Sequence, residues 1–375
     1  MLSPASKLAE HSVLRRRTDD IVRVGFDTFV KAATVFLALA AIVPRLTSAQ
    51  EAHPRYAVVD QGLSLVRTLT DTPGLNNQGD IAIWHSVSAS LMPGLVLHGK
   101  ETISIEGEKD FSLVYPADIN DQLTVVGTLQ QPQDLRFTHA FQWSNHHLQI
   151  LGSLGGPYSS ASAVNAAGEV VGSAQTTGGT RHAVLWRANQ ARDLGLLAQG
   201  DYSSARDLND KSEVVGEANV VPNGQPQAFL WRAGKMQQLP RLAGGTNCSA
   251  QAINHAGVIT GSCDLPNGIA HGVVWRNGSI EDLGTLGDED APSTALDINA
   301  QAQVVGTSDA DRLRAFLWEK GKMINLNQLI PPHSGWVLLV ASRINDKGEI
   351  LGRGYYRGSI HAFLLEPDRP AASTK

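Results

Sequence analysis

An asparagine recurs along this chain at a nearly constant stride. It falls at Asn76, Asn120, Asn165, Asn209, Asn254, Asn299 and Asn345, with spacings of 44, 45, 44, 45, 45 and 46 residues. Seven residues beyond each stands Gly127, Gly172, Gly216, Gly261, Gly306 or Gly352, with Ile83 the one exception. A period of this length means that one supersecondary unit is repeated and that each copy buries its apolar face against the next. The 375 residues therefore read as one repeat-built domain.

Each unit reads as four short strands. The first ends on segments such as Ala117-Asp118-Ile119 or Ala295-Leu296-Asp297-Ile298, and the second carries the β-branched steps Val170-Val171, Val214-Val215 and Val304-Val305. Between them, Asn suits the first position of a type I turn, and Gly168, Gly257 and Gly348 supply the positive-φ residue that follows. Leu123, Ser212 and Ala302 replace that glycine, so three turns must be looser or slightly strained. The third strand is His182-Ala183-Val184-Leu185-Trp186 and its equivalents, and the fourth runs into Leu194-Gly195-Leu196-Leu197 or Leu283-Gly284-Thr285-Leu286. The expectation is an all-β fold, a seven-bladed β-propeller of four-stranded antiparallel blades; an open solenoid of the same units is the rival.

The seventh unit stops after its third strand, His361-Ala362-Phe363-Leu364-Leu365. Near the other end, Tyr56-Ala57-Val58-Val59-Asp60-Gln61-Gly62-Leu63 resembles a fourth strand, and the 14 residues from Gly62 to Asn76 match those from Gly195 to Asn209. An N-terminal strand completing the last blade would remove two exposed edges. The propeller then spans residues 55–367, with a disordered tail at 368–375.

The fixed order of Asn, Val-Val-Gly, His-Ala-Phe-Leu-Trp and Asp-Leu-Gly elements resembles the exported bacterial repeat family named for its His-Ala-Phe motif, the HAF-repeat family. Gln227 and Arg314 stand where it has His, and Leu365 replaces the last Trp. The resemblance implies an exported protein of repeat architecture and transfers no catalytic residue.

Residues 1–49 have the pattern of an export signal. Arg15, Arg16, Arg17, Arg23 and Lys31 precede an apolar run of 12 residues from Ala32 to Val43, and Thr47-Ser48-Ala49 offers a small-residue cleavage site. A bilayer span needs about 20 residues, so the reading is a cleaved signal followed by a linker at 50–54, with an uncleaved anchor as the alternative. Cleavage leaves no stable transmembrane span and places the protein in the periplasm or outside the cell. It also leaves 24 basic against 32 acidic residues, which argues against a nucleic-acid partner. Nothing implies a cofactor, and a monomer is expected.

Cys248 and Cys263 are placed symmetrically about the turn at His255-Ala256, so they should face each other across strands one and two of one blade. Such cross-strand pairs lie within disulfide range, and export supplies an oxidising compartment. Two free buried thiols are the alternative.

The connections after strands two and four are the longer and more variable ones, and they emerge on one face, where binding sites concentrate. That face carries Tyr158, Tyr202, Trp336, Tyr355 and Tyr356, whose rings could stack on a sugar or anchor a protein partner, or fold back over the core. It also carries Asp288, Glu289, Asp290, Asp309 and Asp311, as weak Ca²⁺-ligand candidates or a solvated acidic loop. The repeated His139, His182, His271 and His361 suit a structural role, because equivalent positions in packed sheets stand too far apart to share a zinc ion. Gly94 to Lys100 has phosphate-loop spacing, but Glu101 replaces the required Ser or Thr and no helix follows. The expected function is a non-catalytic binding or interaction module for an unknown glycan or protein ligand. The alternative, a glycosidase or lyase acting on polysaccharide, would need paired carboxylates or a His-centred site near the axis.

Overall fold

The structure is a computed structural model, and it describes residues 55–63, 73–85, 87–108 and 110–368. The expected export signal, the linker and the tail beyond Asp368 lie outside these residues; Asp368 itself donates its N–H to Arg55 O at 2.8 Å. The fold is an all-β propeller of four-stranded antiparallel blades. In the fifth repeat, for example, the strands Cys248–Ile253, Ile259–Asp264, Ala270–Arg276 and Ser279–Asp282 pair in sequence order. Gly94–His98 and Glu101–Ile105 form a hairpin, which disposes of the phosphate-loop spacing.

The count of seven separate blades requires correction. Five blades stand as separate four-stranded sheets, and the second and third repeats share one eight-stranded sheet. The cause is the length of the innermost strand of the third repeat, Gly155–Val164, which reaches the neighbouring strand Thr138–Ser144 and pairs with it in parallel at Tyr158 and Thr138. Thr138 Oγ1 donates to Ser159 O at 3.1 Å and Ser159 Oγ accepts from Ala140 N at 2.9 Å, which reinforces the join.

The asparagines account for the stride. Each side-chain Oδ1 accepts backbone N–H groups of its own turn, as Asn209 does from Lys211 at 3.0 Å and Glu213 at 3.1 Å. Each Nδ2 donates to the carbonyl of the next asparagine: Asn76 to Asn120, then to Asn165, Asn209, Asn254, Asn299 and Asn345. Asn345 then donates to Asn76 O at 3.0 Å, closing the circle across 269 positions of sequence. All seven asparagines are buried, where an unpaired amide is costly. The three turns without glycine keep their closing bonds and carry strain instead, with φ of 57° at Leu123 and 58° at Ser212 and Ala302.

The recurring glycine is a packing requirement. A Cβ at Gly172 would lie 2.0 Å from Ser160 O, and one at Gly261 would lie 2.1 Å from Ser249 O. Ile83, at the same place in the first repeat, is buried in a cluster with Leu75, Ile81, Leu351 and Leu364.

The N-terminal strand Tyr56–Leu63 pairs antiparallel with Ser359–Pro367 and completes the last blade. Tyr56 is buried in the cluster that joins the sixth and seventh repeats, beside Leu317, Leu338 and Phe363, and Arg55 forms a bidentate ion pair with Glu319. Arg55 holds the Glu319 carboxyl down at about 2. The repeated histidines tie the third strand to the outermost one: His182 Nδ1 meets Asp193 at 2.8 Å, His271 meets Asp282 at 2.9 Å, and His361 meets Asp60 of the N-terminal strand at 2.9 Å. Gln227, standing where others have His, accepts from Gln238 Nε2 at 3.0 Å in the same place. His139 has no such acid and instead packs its ring on Phe111, with centroids 4.6 Å apart. Cys248 and Cys263 are opposite partners in register and form a disulfide, with Cα atoms 4.1 Å apart.

Candidate functional site

The innermost strands surround an axial channel, and in the second to seventh repeats a one-residue bulge interrupts the strand three residues before the asparagine. In the fourth repeat the register passes from Ala205 to Asp207, so Arg206 is left out of the ladder. The same shift frees Ala117, Ser162, Gln251 and Leu296. Bulges re-aim side chains, and here the unpaired residues line the channel. Two cavities lie along it, of about 310 Å³ at the asparagine end and about 570 Å³ at the loop end. Ser162, Arg206, Gln251, Leu296 and Arg343 line both and form the waist between them.

Below the waist, Asp118, Asp207 and Asp297 occupy equivalent places in alternate repeats. Each accepts a backbone N–H from the following repeat: Val164 at 2.9 Å, Ile253 at 2.8 Å and Ile344 at 2.8 Å. Burial pushes all three carboxyls up, to about 8 for Asp207 and about 6 for Asp297, although each residue remains partly exposed to the channel. Arg343 opposes the rise at Asp118 and Asp297, whereas Asp207 has these two acids as charged neighbours instead. These acids act as staples between repeats.

Above the waist the wall changes character. Three guanidinium groups, Arg206, Arg343 and Arg353, line the loop-end cavity with Trp84 and Tyr115, and its lining includes no Asp or Glu. Arg343 donates to Ser342 O at 3.1 Å and to Ala117 O at 3.3 Å. Arg206 Nη2 donates to Glu217 Oε1 at 2.8 Å, and Tyr202 OH donates to the same oxygen at 2.9 Å. Burial works against the Glu217 carboxylate, but Arg206, Ser249 and Tyr202 hold it below its ordinary value. Trp84 and Tyr115 meet edge to face at 6.0 Å. Small hydroxyls complete the wall, with Thr128 Oγ1 and Ser160 Oγ 2.6 Å apart across two repeats.

The sequence-derived candidates lie on the loop side but do not form one site. Trp336 and Tyr356 stack at 4.8 Å, with Tyr355 exposed beside them. Tyr158 carries the Arg181 guanidinium 4.3 Å from its ring centre, in a separate furrow lined by Arg136 and Phe137. Tyr202 is engaged by Glu217, and burial followed by that carboxylate raises its hydroxyl pKa. The acidic candidates are dispersed among structural bonds. Asp288 O accepts from Thr285 Oγ1 at 2.9 Å, Glu289 O lies 3.1 Å from His271 Nε2, and Asp290 Oδ1 accepts from Asn267 at 3.0 Å. Asp309 N–H donates to Pro292 O at 2.9 Å, and Asp311 pairs with Arg314 at 3.2 Å. Among the described residues no three His, Cys, Asp or Glu groups gather as a metal-ligand set.

The residues that sequence reasoning missed share one signal. In aligned repeats, Arg206 stands where others have Pro73, Ala117, Ser162, Gln251, Leu296 and Ser342, and Arg343 where others have Gly, Ala or Asp. Arg353 and Trp84 replace the small polar residues Thr128, Ser173, Ser262 and Thr307, as does Glu217, and Tyr115 replaces Ser160, Ser204, Ser249 and Thr294, as does Val340. Each is a break in the repeat, and the three arginines, Trp84 and Tyr115 converge on one cavity.

No family model matches the sequence, and no curated protein is similar to it. Solved structures resemble the fold. The β-propeller domain of the Trilobed protease from Pyrococcus furiosus, described as having an open velcro topology, is 11% identical over 68% of this chain and 80% of that one, with a TM-score of 0.50. A puromycin-hydrolysing peptidase of Mycobacterium tuberculosis is 13% identical over 80% of this chain, with a TM-score of 0.54. This chain spans about half of that peptidase, 52%. At such identities the likeness is one of fold alone, and a fold does not carry an activity with it.

Proposed function

We propose that the protein is a non-catalytic binding module whose ligand seats in the loop-end mouth of the channel. The convergence of Trp84, Tyr115, Arg206, Arg343 and Arg353 carries this reading, because a residue that merely holds a blade together recurs in its sister blades and these do not. A cavity of about 570 Å³ is of the size that takes a small ligand or the end of a chain. Its lining offers no carboxylate pair for glycoside hydrolysis, which favours binding over the glycosidase reading.

The same reading places the protein among the exported HAF-repeat proteins, in the periplasm or outside the cell. The Cys248–Cys263 disulfide supports an oxidising compartment. Among the described residues no helix is long and apolar enough to cross a membrane.

Glycan and peptide arrays, run beside a product screen for glycosidase and lyase activity, test the function. Binding that Arg206→Gln or Arg343→Gln abolishes, with no product formed, is the expected result. Turnover overturns the non-catalytic reading, and binding that both substitutions leave intact overturns the mouth as its site.

A further inference from the structure

We propose that the ligand of this mouth is the acidic end of an oligosaccharide, with the carboxylate of a uronic acid received by Arg206 and Arg343. The inference rests on the mouth being the binding site and adds the chemical class of what enters it.

A guanidinium carries five N–H donors in a planar fork suited to a carboxylate. Glu217 engages Arg206 through one Nη, and two backbone carbonyls engage Arg343, so both retain donors while being fixed in orientation. Preorganised forks of this kind select a carboxylate by geometry as well as charge.

The surrounding charges decide between kinds of anion. Glu217 stands behind Arg206, and Asp118 and Asp297 act on Arg343, so the charge of these two forks is largely answered from the protein side, while the third guanidinium, Arg353, is buried. A site of this balance does not concentrate polyanions by its field. It rewards a single carboxylate placed within hydrogen-bond reach of the two forks.

The rest of the wall points to a sugar rather than a peptide end. Ser160, Ser162 and Thr294 bring hydroxyls and Gln251 an amide, groups that both donate and accept and so match sugar hydroxyls, which do the same. Half-buried Tyr115 supplies aromatic surface for the C–H face of a pyranose ring, with buried Trp84 packed edge to face against it. An extended peptide pairs with a free outer strand edge, and the outermost strands of the blades contribute no residue to this cavity.

Calorimetric titration and tryptophan fluorescence with the purified protein test this, using trimers of galacturonate, glucuronate and guluronate, their methyl esters, and a tripeptide with a free C-terminal carboxylate. At least one uronate trimer is expected to bind. Its methyl ester, Arg206→Gln and Arg343→Gln are each expected to weaken binding by about tenfold or more, the worth of a charged hydrogen bond. Arg206 is exposed at the waist, so Arg206→Gln is expected to fold, though less stably for the loss of the Glu217 pair, and remains informative should Arg343→Gln fail to fold. If no uronate binds, or if the ester binds as well as the acid, the ligand class is overturned. A tripeptide or neutral glycan that binds and is lost with Arg206→Gln would then leave the mouth standing as the site. Uronate binding that neither substitution weakens overturns the mouth itself.

Discussion

The two ends of the channel are built by the same innermost strands and obey different rules. At the asparagine end every repeat contributes the same residue to the same bond, and the circle of amides closes on itself. At the loop end the repeats diverge, and five of the divergent side chains face one cavity. The first pattern is what stability requires of a repeat, since each copy must dock on the next in the same way. The second is free of that requirement, so it is where chemistry can be placed without unfolding the ring.

If that division holds, damage at the asparagine end and at the closure should cost stability, and damage at the loop rim should cost little. The largest effect is expected from deleting Arg55–Leu63, which removes the strand that completes the last blade and bares the edge of Ser359–Pro367. The truncated protein should lose its cooperative thermal transition by circular dichroism, and a truncation that keeps the full transition would break the closure argument.

Asn209→Ala comes next, because it leaves two turn N–H groups and the buried carbonyl of Asn254 without their partner. A loss of about 3 kcal/mol is expected from denaturant unfolding, at roughly 1–3 kcal/mol per group left unsatisfied. Replacing Cys248 and Cys263 together by Ser should cost a similar amount, about 3 kcal/mol for a loop of this size in the chain-entropy model, and reductant should reproduce it on the native protein.

A smaller effect follows from the acids below the waist. Asp207 and Asp297 have folded-state pKa values raised to about 8 and about 6, so the folded protein holds protons that the unfolded chain releases. Their contribution to stability is fully present below the unfolded value near pH 4 and is lost as pH rises through about 6 and then about 8. Channel water moderates it, so a decline on the order of 1–2 kcal/mol across that window is expected. Asp207→Asn should flatten the upper part of the decline, and an unchanged slope would show that the channel hydrates this carboxyl fully. Smallest of all, Tyr355→Ala on the exposed rim should change stability by less than about 0.5 kcal/mol.

How much was legible beforehand varies by feature. Asp60 and Gly62 matched Asp193 and Gly195 in sequence, and their bonds coincide: Gly62 N donates to Asp60 Oδ1 at 2.9 Å as Gly195 N does to Asp193 Oδ1 at 2.7 Å. The facing cysteines followed from counting residues about a turn. The merger of two repeats did not, because a strand that overshoots its blade by a few residues leaves no mark distinct from a loop. The aromatic candidates share the loop-rich face, but Tyr158 and Tyr202 are held by their own neighbours, Arg181 and Glu217.

The sequence by itself determined the repeat, its turns, the closing strand and the disulfide, because each of these depends on spacing along the chain and on backbone demands that particular residues meet. Only the tertiary structure decided that Trp84, Tyr115, Arg206, Arg343 and Arg353 meet, since they come from four different repeats and are brought together by the curvature of the ring. Position within a repeat is a local property, and convergence at an axis is a property of the closed whole.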